Sequence, residues 1–510
     1  MNDARRAQLA RAATTVMVAY VISRVLGLGR EMIIGNQFGT TRELDAYLAA
    51  FRVPDLIFQL IAGGALASAF IPTFTRYLAH DDERQAWRLA SSLLNIVAMV
   101  LTVSAILAVV LAPHLVARVV VPSFTPEEQA LTVRLMRLML VSPIIFGISG
   151  IVMGILNSFQ HFLLPALAPA VYNLSIIGGA IFLAPAFGIY GLAVGVVAGS
   201  LLHLLIQIPE LRRKGMSYRP VLDIRHPGVR EVGRLMLPRM LGLATVQINF
   251  LVSTFLASGL ADGSLAALNY GWMLMLVPQG IFALAIATAA FPTFSELAAR
   301  EDLQELRAAL SETLRLILYL AIPSSVGLIV LREPLIQLLL QRGRFDPAST
   351  QAVAWALQFY GLGLFAHSAL EIITRAFYSL HDTRTPVAIG VGAMALNIIL
   401  SVLLIRPLLH GGLALANSLA TIVETVVLLA ILRGRLRGID GRALLLSVGK
   451  TALAATVMGF GAHWFDAWAR GSHILLRGGG AIVLGGILFL TASLVLRSEE
   501  IGALKGILGR

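Results

Sequence analysis

Four charged residues lie in or beside apolar stretches near the start of the chain: Arg24, Arg30, Asp45 and Arg52. Each stretch is long enough to cross a bilayer, which takes about 20 apolar residues. An arginine at the centre of a membrane helix costs roughly 3 kcal/mol on insertion scales, so it normally faces a hydrated cavity or a partner. Guanidinium groups bind phosphate and carboxylate through paired hydrogen bonds. We therefore predict a cationic cluster, with Asp45 as its partner, that binds an anionic ligand.

Spacing along the second apolar stretch places its polar residues on one side of a helix. Asp45, Arg52 and Gln59 recur every seven residues, which returns nearly to the same helix face. Arg239, in a later stretch, is predicted to face the same ligand from the second half of the chain. These residues complete the predicted substrate-binding set.

A structural interpretation competes with binding at these positions. Arg24 and Asp45 can form an ion pair that only stabilises the fold, and Arg30 can extend to the membrane interface. Arg52 is open to a structural interpretation as well, and Arg239, near the cytoplasmic end of its span, can be an anchor.

The composition indicates a membrane protein throughout. Of the 510 residues, 57% are hydrophobic and only 13% are charged, and apolar runs recur from one end to the other. The net charge of +12 comes from basic residues in short loops, which fits the positive-inside rule and anionic lipid headgroups better than nucleic acid. The absence of cysteine excludes disulfides, thiol catalysis and cysteine metal sites.

The hydropathy pattern predicts an all-α polytopic membrane protein with about fourteen transmembrane helices. The predicted spans are 12–34, 44–74, 89–112, 130–157, 162–184, 188–210, 232–259, 265–295, 312–332, 350–378, 386–409, 411–432, 443–464 and 476–497. Arginine and lysine cluster at the N-terminus and in the gaps 211–231 and 433–442, which all fall on one side. That side is predicted to be the cytoplasm, so both termini are expected inside the cell.

The chain also contains an internal repeat. A shift of 221 residues places Pro113 on Pro334 and Gly191-Leu-Ala on Gly412-Leu-Ala. Six spans per half give two parallel-repeat lobes of the same orientation, followed by two C-terminal helices. The predicted divisions are an N-lobe at 1–211, a basic cytoplasmic linker at 212–230, a C-lobe at 231–433 and spans thirteen and fourteen at 434–510.

Prolines at matching positions in the two halves predict bending points. Pro54 interrupts the second span near Arg52, and Pro278 lies at the corresponding place in the eighth. Lobes built in this way usually move against each other in alternating access.

Enzymatic motifs are lacking. The chain has no phosphate-binding loop, no glycine-rich dinucleotide turn and no histidine cluster with metal-ligand spacing. We therefore predict no catalytic residue, no metal site and no cofactor. Energy for transport would come from a Na⁺ or H⁺ gradient or from the membrane potential.

Three further polar sites have two interpretations each. His381-Asp382-x-Arg384 is typical of a cytoplasmic turn that caps a helix, with a functional role as the alternative. Asn173 and Asn397 lie inside spans, where they can ligate a cation or form hydrogen bonds between helices.

Several motifs resemble those of the MurJ/MviN family of lipid II flippases, within the multidrug/oligosaccharidyl-lipid/polysaccharide exporter superfamily. They are Ser23-Arg-Val-Leu-Gly-Leu-Gly-Arg30, Asp45-Ala-Tyr, Phe51-Arg-Val-Pro54, Gly64-Ala-Leu-Ala-Ser-Ala-Phe-Ile-Pro72, Phe291-Pro-Thr-Phe-Ser295, Gly343-Arg-Phe345 and Arg375-Ala-Phe-Tyr-Ser-Leu-His-Asp-Thr-Arg-Thr-Pro386. The resemblance covers essentially the whole chain. It implies fourteen helices in two lobes, a cationic cavity for the diphosphate and sugar of an undecaprenyl-linked peptidoglycan precursor, and a groove for the lipid tail at spans thirteen and fourteen.

The resemblance also implies a location and partners. We expect a monomer in the bacterial inner membrane that binds a lipid-linked anionic substrate and membrane lipids, and no nucleic acid. By motif match, Arg24, Arg30 and Asp45 correspond to the family's cavity positions.

This chain departs from the family where charges are usual. Phe58 and Gln59 stand in place of an arginine pair, Gly63 in place of an acid, and Met273 and Leu276 in place of an arginine and a glutamate. Three alternatives to a lipid II flippase therefore stay open. They are a flippase for another polyprenyl-linked glycan, a MATE-like cation-coupled drug antiporter and, least favoured, a membrane glycosyltransferase.

Overall fold

A computed structural model shows the protein as a succession of helices. It describes residues 3–502, apart from the side chains of residues 3–16, 64–68, 238–239 and 241. Within these residues the chain contains helices and turns and no strand, which confirms the predicted all-α class. The chain divides into two compact units, Met1–Asp262 and Gly263–Arg510.

In its described residues, the first unit contains eleven α-helices. In chain order they are α1 (Asp3–Phe38), α2 (Arg42–Ile61), α3 (Gly64–Ala79), α4 (Glu83–Leu115), α5 (Pro126–Met139), α6 (Val141–Ser158), α7 (Leu163–Gly178), α8 (Ala184–Phe187), α9 (Tyr190–Leu205), α10 (Ile208–Arg213) and α11 (Pro227–Ala257). Short π-helical turns follow α4 at Val116–Val120 and α7 at Gly179–Leu183.

Up to residue 502, where the described residues end, the second unit contains nine α-helices. They are α12 (Ser264–Pro278), α13 (Leu284–Ala299), α14 (Leu303–Val330), α15 (Arg332–Leu339), α16 (Pro347–Ser379), α17 (Arg384–Leu408), α18 (His410–Arg435), α19 (Gly441–Trp468) and α20 (Gly480–Val495). A π-helical turn joins α12 to α13 at Gln279–Ala283, and another precedes α20 at Leu475–Gly479.

The described residues contain eleven helical spans that are long and apolar enough to cross a membrane, or twelve if the bent helix α11 is counted as one. The protein is therefore a multi-pass membrane protein, but the predicted number of fourteen spans is not confirmed. The missing spans fall in α1, which carries Arg24, Arg30 and Glu31, and in the α2–α3 region, whose first helix is rich in charge. Five of the six predicted binding residues lie on α1 and α2.

The break in the second span lies beyond Pro54. Helix α2 runs through Pro54 to Ile61, and the chain turns at Ala62 and Gly63 before α3. A Cβ added at Gly63 would lie 2.6 Å from the Gln59 carbonyl oxygen, so this turn requires glycine. The predicted interruption at Arg52–Pro54 is therefore wrong in position, and the hinge role of Pro54 stays a prediction.

The matching proline in the second unit lies directly before an irregular turn. Helix α12 ends at Pro278 and the π-helical turn Gln279–Ala283 follows. Proline removes a backbone donor, and π-turns are common where the regular hydrogen-bond ladder is disturbed. Each half of the repeat thus has a local irregularity on the C-terminal side of its proline.

The boundary between the compact units differs from the predicted lobe boundary. Helix α11 packs against α2 and α3 in the first unit, whereas the repeat assigns this span to the C-lobe at 231–433. The compact units are defined by packing and the lobes by the register of the sequence repeat, so the two boundaries need not coincide. The lobe division stays a prediction.

The segment after α10 lies along α4. The Asn95 side-chain amide donates to the Val221 carbonyl oxygen at 2.9 Å and accepts from the Tyr218 hydroxyl at 2.8 Å. Arg88 forms an ion pair with Asp223 at 2.7 Å. The predicted basic linker therefore has a fixed path on the first unit.

Candidate functional site

Arg30 connects helix α1 to helix α7. Its guanidinium donates to the Asn173 side-chain oxygen at 3.0 Å and pairs with Glu31 at 2.5 Å. The Asn173 amide donates in turn to the Ser23 carbonyl oxygen at 3.2 Å. Hydrogen bonds between helices, one of the two interpretations of Asn173, are therefore confirmed. Adjacent residues on a helix do not normally share a face, which is why the Glu31 partner was not predicted.

Arg24 lies one and a half turns earlier on α1 and is exposed. Its guanidinium forms no ion pair with a carboxylate in the part of the chain that the structure describes. It donates instead to the Tyr20 hydroxyl at 2.7 and 3.0 Å, and lies over the Tyr20 ring. An arginine in this environment keeps its charge available for an external anion.

Asp45 is completely buried and forms an ion pair with Arg42, whose Nη1 lies 3.7 Å from the carboxylate. The sequence interpretation missed Arg42, although its spacing of three residues from Asp45 is typical of an ion pair on one helix face. Among the contacts of the described residues, Asp45 pairs with Arg42 and no Arg24–Asp45 pair occurs.

Arg42, at the start of α2, forms ion pairs with three acidic residues. Its guanidinium lies 3.4 Å from Glu128 on α5 and 2.7 Å from Asp262, in addition to Asp45. It also donates to the Leu260 carbonyl oxygen at 3.2 Å and lies over the Phe124 ring. This group of side chains, termed here the Arg42 cluster, fastens α2 to α5 and to the segment after α11.

Arg52 faces helix α11. Its Nε donates to the Thr254 hydroxyl at 3.0 Å, and its guanidinium lies over the Phe250 ring at 5.3 Å. Further along α2, the Gln59 amide lies 3.5 Å from the Asp55 carboxylate. Asp55 was not among the predicted residues, although it is four residues before Gln59 and therefore lies on the same face.

The structure thus distributes the predicted residues over separate groups on α1 and α2. Arg30 contacts α7, Asp45 belongs to the Arg42 cluster, and Arg52 contacts α11. The side chain of Arg239 lies outside the described residues.

One departure from the family pattern, Phe58, lies among aromatic rings. The Phe58 ring packs against Phe146 at 5.4 Å, and Phe146 contacts Tyr172 and His203. Aromatic packing therefore occupies a position where the resemblance implies a cation.

A family model described as "Lipid II flippase MurJ" matches residues 34–477. The chain belongs to the MurJ family. The MurJ resemblance of the motifs is thereby confirmed over most of the sequence.

Relatives with this name occur in distant bacteria. A lipid II flippase MurJ of Burkholderia cenocepacia is 31% identical over 435 residues, which cover 84% of each chain. A probable lipid II flippase MurJ of Synechocystis is 30% identical over 91% of this chain and 90% of its own. The similarity to MurJ sequences therefore extends over nearly their full length.

Solved structures agree with this assignment. A lipid II flippase MurJ in an inward closed conformation matches with a TM-score of 0.81 at 25% identity, over 94% of this chain and 98% of its own. An inward-facing MATE transporter matches with a TM-score of 0.68 at 14% identity, over 84% of this chain and 98% of its own. The MATE likeness is one of fold alone.

No group of three or more histidine, aspartate and glutamate residues with the geometry of a metal site occurs among the described residues.

Proposed function

We propose that this MurJ-family protein is a flippase that moves lipid II from the cytoplasmic to the periplasmic leaflet by alternating access. Its substrate would be the undecaprenyl-diphosphate-linked peptidoglycan precursor. The family match over residues 34–477 and the full-length similarity to proteins named lipid II flippase support this proposal.

The observation that carries the proposal is the state of Arg24. It lies on α1, which the sequence predicts to cross the membrane, is exposed and contacts a tyrosine rather than a carboxylate in the described part of the chain. A charge retained in this position is a functional-site hypothesis by default. A diphosphate matches the geometry of a guanidinium, which can form two parallel hydrogen bonds to it.

The remaining properties follow from a transport role. We infer that the protein acts in the bacterial inner membrane as a monomer, with both termini in the cytoplasm and lipids rather than nucleic acid as partners. We also infer that it catalyses no covalent chemistry and uses an ion gradient or the membrane potential. Pro54 and Pro278 would be bending points, and Gln59 and Arg239 would add to the binding set.

Replacement of Arg24 tests the proposal. Arg24→Ala is expected to abolish growth in a bacterium depleted of its own lipid II flippase, because the diphosphate loses its guanidinium contact. Growth on depletion is measured together with the amount of protein in the membrane. Arg24→Lys, which keeps the charge but loses the paired geometry, is expected to restore growth in part.

The matched control is Arg213→Ala. Arg213 is the last residue of α10 and is 80% exposed, and its loss is expected to leave growth unchanged. Full growth with Arg24→Ala at normal protein level would refute the role of Arg24 in substrate binding.

A second candidate is a flippase for another polyprenyl-linked glycan. It is favoured by Phe58, which packs against an aromatic ring where the family has a cation. Native mass spectrometry of lipids that copurify with the protein separates the two, since the headgroup mass differs. A MATE-like antiporter has only the fold in its favour.

A further inference from the structure

An acidic residue lies within the membrane span of the second unit. Glu424 is on α18, well inside the span His410–Arg435, and is partly buried. Its carboxylate forms no ion pair or hydrogen bond with any residue that the structure describes. Ionisable side chains inside a membrane are costly and usually have a function.

Glu424 continues a polar face of α18. Asn417 and Thr421 precede it at spacings of seven and three residues, on the same side of the helix. Both lie close to His367 on α16, whose Nε2 is 3.1 Å from the Asn417 oxygen and 3.3 Å from the Thr421 hydroxyl. The face therefore has hydrogen-bonding groups that end at an unpartnered carboxylate.

A glycine on the neighbouring helix makes room for this carboxylate. A Cβ added at Gly390 on α17 would lie 3.3 Å from Glu424 Oε1. The Glu424 carboxylate thus lies against the backbone of α17, where a larger side chain would have to displace it.

No cation among the described residues forms an ion pair with Glu424. The titratable residues on the helices that pack against α18 are Tyr270 on α12, Tyr360, His367, Glu371, Arg375 and Tyr378 on α16, and Arg384 and Arg406 on α17. Of these, Glu371 and Arg375 pair with each other at 2.5 Å. Glu424 must therefore be stabilised by something other than a side-chain cation.

A proton fits this site better than a metal ion. Hard metal cations take several oxygen ligands, and no cluster of acidic and histidine residues surrounds Glu424 in the described part of the chain. A proton needs only one oxygen: the O–H bond forms on the carboxylate and leaves a neutral acid in the hydrocarbon region.

We propose that Glu424 is a proton-binding site whose protonation and release couple a proton gradient to transport. The coupling role rests on the proposed flippase function, whereas proton binding does not. The carboxylate takes up a proton and becomes the neutral acid. The reverse step releases the proton to water on the other side of the membrane.

Proton binding is tested without substrate. Dicyclohexylcarbodiimide dissolves in apolar surroundings and adds to a protonated carboxyl group, so it is applied to the purified full-length protein at a series of pH values. Peptide mass spectrometry is expected to find the adduct on Glu424, with a yield that falls as the pH rises. Glu424→Gln is expected to lose this adduct and Glu424→Asp to keep it.

Glu296 provides the comparison within the same sample. It is 62% exposed and paired with Arg300, so it is expected to stay unlabelled. An unlabelled Glu424, or a yield that does not change with pH, would overturn the proton site.

Coupling is tested in proteoliposomes that contain lipid II. The wild-type rate is expected to rise with an imposed pH gradient, and Glu424→Gln is expected to lose that response, while Glu296→Gln keeps it. A wild-type protein that moves no lipid II contradicts the proposed function and leaves the labelling result standing. Movement that ignores the pH gradient, or a Glu424→Gln variant that still responds, contradicts the coupling role.

Discussion

At the residue scale, the three carboxylates of the Arg42 cluster differ in their access to water. The side chain of Asp45 is fully buried, that of Glu128 is 25% exposed and that of Asp262 is 69% exposed. Water screens an exposed ion pair, whereas a buried charge depends on its partner. The shortest of the three contacts, that of Asp262, is therefore not the one expected to stabilise the fold most.

We expect Asp45→Asn to destabilise the protein far more than Asp262→Asn. The loss of one partner from a buried pair costs about 3–5 kcal/mol, and the loss of an exposed pair about 0.2–1 kcal/mol. The apparent melting temperature of each variant in detergent, followed by tryptophan fluorescence, measures the difference. Glu128→Gln should lie between them.

Arg42→Gln is the reference variant for this comparison, since it removes the centre of the cluster. In the Arg42→Gln background, Asp262→Asn should cost nothing further, because its partner is already absent. Equal losses from Asp45→Asn and Asp262→Asn would contradict the argument from burial.

Residue types were predictable here, but partners were not. Arg24, Arg30, Asp45 and Arg52 stood out because charge is rare in long apolar stretches. Their contacts depend on which helices pack together: Arg30 reaches Asn173 only because α1 lies against α7. No periodicity within one helix contains that information.

At the element scale, hydrogen bonds to Asp382 stabilise the turn between α16 and α17. Its carboxylate accepts the Thr385 hydroxyl at 2.5 Å and the backbone N–H groups of Thr385 and Arg384 at 3.0 Å, and pairs with Arg435 at 2.5 Å. The interpretation of this motif as a helix-capping turn is confirmed. The hydrogen bonds from Thr385, with Arg435 beside them, hold the pKa of Asp382 below its ordinary value.

Asp382 should therefore contribute a pH-dependent stability. A group with a lowered pKa in the folded state stabilises it above the unfolded pKa, near about 4, and loses this contribution as the pH falls through the folded value. We expect Asp382→Asn to melt below the wild type at pH 7. This difference in melting temperature between the variant and the wild type should disappear as the pH falls below about 4. Melting curves of the detergent-solubilised protein measure it.

Asp81→Asn serves as the control for this titration. The Asp81 side chain is exposed in the turn after α3 and forms no hydrogen bond or ion pair with the described residues. Its replacement should give no gap at any pH. A gap for Asp382→Asn that stays constant from pH 7 to pH 3 would show that the carboxylate acts by shape rather than by charge.

Helices were predictable to the extent that hydropathy marks them. The spans after residue 83 agree in order with the apolar runs, since each is long and poor in charge. The break in the second span was misplaced, because proline at Pro54 is tolerated inside α2 while Gly63 turns the chain. Proline is the more visible signal in a sequence, but the glycine backbone determines where this helix ends.

At the scale of the whole molecule, the family match and the internal repeat describe the same chain in two ways. The match runs through both compact units without interruption. The repeat accounts for Pro54 and Pro278 at corresponding places, each followed by an irregular turn. The position of α11, which packs with the first unit, follows from tertiary contacts that neither description contains.

The predicted orientation of the chain in the membrane rests on its basic loops. The segment 212–230 concentrates arginine and lysine, and such segments remain in the cytoplasm. Because the chain contains no cysteine, single cysteines report on topology in an otherwise native background.

We expect Ser217→Cys, exposed after α10, to react with a membrane-impermeant maleimide only when the inner membrane is opened. Ser472→Cys, exposed after α19, should react in cells whose outer membrane alone is permeable. Both should react equally in disrupted membranes, and the reverse pattern in intact cells would place the termini outside.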